Sequence, residues 1–131
     1  MTVSFEATFP STPPGVGAMR REVAAFAQEA GMDEDGVGSV RLAVSEAATN
    51  GVVHAYRNSH GPGDLKVRAF VDASELVVIV CDAGEGLAPR ADSPGLGLGM
   101  PLMASVTTRF HVVSDDGGTE IHMTFALPTD A

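Results

Sequence analysis

Glu46, Asn50 and His54 recur at intervals of four residues within the segment Val37 to Tyr56. On an α-helix such positions advance by only about 40° per step, so their side chains form one polar row. An amide oxygen is a neutral, hard ligand suited to Mg2+, which keeps most of its own waters. A carboxylate one turn away can take a proton from a hydroxyl or water held nearby. The same spacing also fits a solvated helix face, so the row alone leaves both readings open. A second cluster is Asp82 with Gly84 and Gly86, directly after the run Val77 to Val80. A carboxylate fixed at a strand end accepts from a donor such as an exocyclic amine, and the glycines let a flat ring approach the backbone. Taken alone, D-x-G-x-G is equally a turn. The third cluster is Gly95, Gly97 and Gly99, alternating with leucines ahead of an apolar segment. Open backbone N–H groups at a helix start favour phosphate oxygens, although glycine triplets also occur in plain loops. Neither G-x-G-x-x-G nor G-x-x-x-x-G-K-[ST] is present.

Periodicity predicts the elements that must position these clusters. Ser4 to Phe9 reads as a strand, broken by the three prolines and two glycines of Pro10 to Gly17. Val23, Ala24, Phe26, Ala27 and Ala30 predict a helix over Ala18 to Ala30, with Gly31 as its stop. Asp33 can cap a second helix, whose wide stripe of Val and Ala through Val37 to Tyr56 packs against a sheet. Asn58 to Asp64 is a turn. Leu65 to Val71 and Glu75 to Cys81 form a hairpin through Asp72 to Ser74, the second strand being apolar enough to be buried on both faces. Asp82 to Gly99 reads as a long loop, followed by a helix from Met100 to Thr108. Strands Phe110 to Ser114 and Thr119 to Leu127 close the chain, with Ile121, Met123, Phe125 and Leu127 on one side. Paired strands separated by helices predict an α+β fold, a two-layer α/β sandwich. Its sheet is mixed and mostly antiparallel, with helices on one face.

A length of 131 residues suits a single domain spanning 1–131. Seventeen acids against eight Lys and Arg give a net charge of −9. That excludes a nucleic-acid binder working through a general basic surface. It also makes binding of a phosphorylated ligand depend on local backbone donors and a metal. The start MTVSFEATFP has neither a basic region nor an apolar signal core, and no apolar run is long enough for a membrane helix. Cys81 is the one cysteine and reads as a core residue in a reduced compartment, so the expected location is cytoplasmic. His60, His111 and His122 lie apart with no metal-ligand spacing, which argues against zinc. Met19, Met32, Met100, Met103 and Met123 read as packing residues.

The three clusters occur in a fixed order and end with Gly118 and Thr119 opening the last strand. This order resembles the GHKL (Bergerat-fold) ATPase superfamily, and within it the anti-sigma factor serine/threonine kinases. The phrase Ser45-Glu46-Ala47-Ala48-Thr49-Asn50-Gly51-Val52-Val53-His54-Ala55-Tyr56 is similar to that group's N box. Histidine kinase domains resemble it less, since they usually carry Asn in place of Glu46. The resemblance implies ATP and Mg2+ as cofactors. Asn50 is the metal ligand it implies, and Glu46 the general base toward a substrate serine. It also implies Asp82 as acceptor for the adenine amine, with Gly84 and Gly86 as its glycine box. Gly95, Gly97 and Gly99 match the second glycine box at the phosphates, and Thr119 the threonine that holds a water beside the aspartate. The implied partners are a sigma factor and an anti-anti-sigma antagonist, and such kinases are commonly homodimers. The resemblance puts His54 near the phosphate side, where a helix cap or a surface role is an equal reading. Only Leu87 to Pro94 separates the glycine boxes, a shorter lid than in the sporulation and stress-response members. Arg90, its sole basic residue, either stabilises the transferred group or is an exposed loop arginine. A short lid excludes less water. The alternative function is therefore a catalytically weak nucleotide-binding module that regulates its partner by sequestration.

Overall fold

The computed structural model describes residues 4–57, 63–82, 96–115 and 118–128. The elements are β1 (Ser4–Pro10), α1 (Pro13–Glu29), α2 (Glu34–Arg57), β2 (Asp64–Asp72), β3 (Glu75–Asp82), α3 (Leu96–Ser105), β4 (Arg109–Asp115) and β5 (Gly118–Ala126). The strands form one sheet in the order β1-β2-β3-β5-β4. All described pairings are antiparallel, so the sheet lacks the parallel component that the sequence left room for. The expected hairpin of β2 with β3 forms, β4 pairs with β5, and β3 takes the central place between β2 and β5.

Leu65, Val67, Leu76, Val78, Val80, Ile121 and Met123 project from one side of the sheet into the core. There they meet Met19, Val23 and Ala27 of α1, Val40, Val44 and Ala48 of α2, and Met103 of α3. The apolar period of two on the strands and the stripe on the helices thus close on each other. The opposite side carries Lys66, Arg68, Cys81, Glu120 and His122, by the same alternation. This corrects the expectation that β3 is sealed on both faces. Ile79 is covered there, but Val77 and Cys81 are half-exposed, and Cys81 is not a core residue.

Two helices begin earlier than their periodicity predicts. For α1 the start is Pro13 instead of Ala18, because Pro13 and Pro14 occupy its first two positions. A missing N–H costs nothing there and the fixed φ suits the helix. Thr12 caps it, its Oγ1 accepting from the Gly15 N–H at 3.2 Å. Gly15 must lack a side chain, since a Cβ would overlap the Pro10 carbonyl oxygen at the end of β1. Gly31, at φ 99°, ends α1 as expected, and Asp33 Oδ1 accepts from the Gly36 N–H at 2.8 Å to cap α2.

For α3 the start is Leu96 instead of Met100, which places Gly97 and Gly99 within the helix. Each helical glycine costs about 1 kcal/mol relative to alanine, and complete burial of Met103 in the core offsets that. Beyond its end, the Thr108 N–H and Oγ1 both donate to the Thr124 carbonyl, at 2.8 and 3.0 Å. The chain is thereby pinned to β5 as it enters β4.

Candidate functional site

The packed side of α2 is built from Val and Ala, and Glu46 and Asn50 lie at its margin. Glu46 is half-exposed, whereas Asn50, one turn further, is only 7% exposed. Among the described residues the Asn50 Nδ2 finds no hydrogen-bond partner. Leaving a buried amide unsatisfied costs about 1–3 kcal/mol, so stability alone gives no reason for an asparagine here. The amide's oxygen and nitrogen exchange places by a flip, which turns the orphaned position into an acceptor. One neutral amide oxygen with a carboxylate a turn away fits a hard divalent cation that retains its waters. The residues present therefore fit Mg2+. His54 lies one turn beyond Asn50 in the same helix.

Asp82 is the last residue of β3 and Thr119 the second of β5, and the two are direct partners across the ladder. By strand alternation both lie on the helix-facing side, in register with Leu65 of β2. Thr119 is 2% exposed and Asp82 is half-buried. Residues far apart in the sequence thus become one polar pair at the end of an apolar sheet face. Such a pair can fix an acceptor for an amine and a hydroxyl beside it. The same register row continues to Ser114 on β4, a position that sequence reasoning missed. Only the pairing of β4 with β5 brings it there.

Gly97 and Gly99 lie at the start of α3, which packs against α2, so this helix start is on the α2 side of the sheet. Gly84, Gly86, Arg90 and Gly95 fall outside the described residues.

His111 and His122, expected to lie apart, are ladder partners whose rings stack at 4.5 Å. His122 Nε2 also pairs with Glu120 Oε1 at 2.9 Å. Sequence spacing missed this because antiparallel pairing, not separation along the chain, decides which residues meet. The pair sits on the face away from the helices. Among the described residues no group of three or more His, Cys, Asp or Glu is arranged to hold a metal. Next to Asp82, partial burial pushes the Cys81 thiol up from its ordinary value, with the Glu120 charge adding to the shift.

Comparison with known proteins identifies the family and the fold. Residues 9–125 match the family model of the histidine kinase-like ATPase domain. Serine-protein kinase RsbW of Bacillus licheniformis is 31% identical over 84% of this chain and 78% of its own length. An anti-sigma F factor of Clostridium acetobutylicum is 34% identical over 85% of this chain and 86% of its own. Among solved structures, the RsbU and RsbW domains of Rv1364c from Mycobacterium tuberculosis superpose with a TM-score of 0.77 at 20% identity. They cover 98% of this chain, which spans 33% of theirs. The histidine kinase domain of Erythrobacter litoralis EL346 gives 0.61 at 22% identity, over 86% of this chain and 61% of its own. The last two likenesses concern the fold alone, and it is the GHKL-type α+β sandwich. With a family model spanning most of its length and relatives above 30% identity, the chain belongs to the histidine kinase-like ATPase domain family.

Proposed function

We propose that this chain is an ATP-binding anti-sigma regulatory factor with serine/threonine kinase activity, which sequesters a sigma factor and phosphorylates an anti-anti-sigma antagonist. The relatives named serine-protein kinase and anti-sigma F factor support the class. The single observation that carries the chemistry is the orphaned, buried amide of Asn50 one turn from the Glu46 carboxylate. The kinase works as a single domain in the cytoplasm, as a homodimer, without nucleic acid or membrane.

Asp82 accepts from the purine amine, with Thr119 beside it holding the same edge of the ring. Gly84 and Gly86 contribute no side chain that would obstruct the ring. The amides of Gly95, Gly97 and Gly99 orient the phosphates at the start of α3. Asn50 would hold Mg2+, which when bound neutralises charge on the phosphates. Glu46 takes the proton from the acceptor serine as its Oγ forms a bond to the γ-phosphorus. The bond from that phosphorus to the β–γ bridging oxygen breaks, and ADP leaves. Arg90, in the lid, stabilises the transferred group.

Incubation with γ-labelled ATP and an antagonist tests this. Wild type is expected to transfer label, and Glu46→Gln to lose more than about 100-fold in rate while still binding ATP. Transfer that survives the substitution would remove Glu46 as the base. ATP binding with no label on any antagonist would leave sequestration as the function.

A further inference from the structure

Exposure falls steadily along the row of α2 that carries Glu46. Leu42, one turn before Glu46, is 37% exposed, Glu46 is half-exposed and Asn50 is buried. One turn before Leu42 lies Gly38, also exposed, where an added Cβ would meet no atom within 4 Å. The row therefore descends from an open notch, over an apolar step, to the carboxylate and then the sealed amide. A lone exposed leucine is ordinary on a protein surface. Position sets this one apart. Among the described residues only Leu42, Leu102 and Val113 are large apolar side chains so exposed. Leu102 belongs to α3, and Val113 to the sheet face away from the helices. Leu42 alone shares a helix row with Glu46.

We infer that Leu42 is the docking contact for the polypeptide segment of the antagonist that bears the acceptor serine, an inference that rests on the kinase reading above. A protein hydroxyl must come within hydrogen-bond reach of Glu46, and it brings its flanking chain with it. From Asn50 back to Gly38 the row becomes steadily more exposed, so that chain crosses the open, N-terminal side. Side chains four apart on a helix are about 5–6 Å from one another. An extended segment advances about 3.3 Å per residue, with alternate side chains on the same side. A residue two positions from the serine therefore lies over Leu42, and an apolar side chain there fits it. The open notch at Gly38 leaves room for the next.

The test uses the full chain and the anti-anti-sigma protein from its own organism that the wild type labels with γ-labelled ATP. Leu42→Ala is expected to raise the KM for that protein about 10-fold, and Leu42→Asp more, as loss of a buried leucine contact predicts. The kcat at saturating antagonist and the Kd for ATP stay at wild-type values, and Leu42→Met keeps the wild-type KM. Unchanged melting curves show that these surface variants fold. An unchanged KM in both Leu42→Ala and Leu42→Asp overturns the inference while the kinase reading stands. So does loss of sigma-factor capture without a change in KM, which would assign the contact to the sigma factor. A weakened Kd for ATP would overturn it by placing Leu42 in the nucleotide site. A wild type that labels no antagonist overturns the kinase reading itself, and this inference with it.

Discussion

The two faces of the sheet are made by the same strands and differ in what covers them. On the helix side, Leu76 and Val78 of β3 are sealed in the core beneath the helices, and the row ends in Asp82 beside Thr119. On the other side, Val77 and Cys81 are half-exposed among Lys66, Arg68, Glu120 and His122, and of the intervening β3 residues there Ile79 is buried. Side chains on the packed face have little freedom, so a carboxylate at its margin is held where the core puts it. Charged pairs on the open face, such as Arg109 with Glu75, sit in water and contribute little. A rigid floor and a tolerant back are thus produced by one alternating pattern.

The sharpest way to break this contrast is to truncate neighbours in β3. Leu76→Ala is expected to cost about 2–5 kcal/mol in denaturant unfolding, through the cavity it leaves. Val77→Ala, one residue on but on the open face, should cost about 1 kcal/mol or less. Equal costs would mean that something covers the open face after all. A smaller effect separates the polar groups at the site end. Asp82→Asn should weaken ATP binding about 10–100-fold by calorimetry, the worth of a hydrogen bond to a charged group. Glu120→Gln, adjacent to Thr119 but facing the other way, should leave the affinity unchanged.

The smallest effect concerns Cys81. Its thiol titrates above the ordinary value of 9.0 in the folded protein because of partial burial and the Glu120 charge. The folded state therefore holds this proton to higher pH than the unfolded chain does. Its contribution to stability is complete below about pH 8.5 and is lost as pH rises through the raised value. Cys81→Ser should flatten the alkaline limb of a stability profile slightly and leave neutral stability almost unchanged.

Local signals were legible in the sequence where a side chain acts on its own neighbourhood. Asp33 announced the start of α2, Gly31 the end of α1, and the β2–β3 hairpin followed from its turn. Two signals were ambiguous in kind. Proline read as a breaker at Pro13 and Pro14, although the first turn of a helix is where it is welcome. Glycine read as loop at Gly97 and Gly99, although core burial of Met103 carries α3 across them. Contacts set by strand pairing had no local trace at all. The stacking of His111 on His122 and the place of Ser114 beside Thr119 appear only once β4 and β5 pair. For the site, Glu46 and Asn50 were legible because helical spacing fixes them together. The nearness of Asp82 to Thr119 came from likeness to a family and not from any spacing.

That last adjacency has a consequence for how such a protein can diversify. The acid and its threonine are partners across the β3–β5 ladder, while positions 83–118, which include α3 and β4, lie between them in the sequence. Changes of length between 83 and 95 fall outside both strands and leave the register of β3 with β5 as it is. On the proposed reading, mutation can then vary the length of the stretch 83–95, and with it how long a nucleotide stays, without altering the acid and threonine that face its ring.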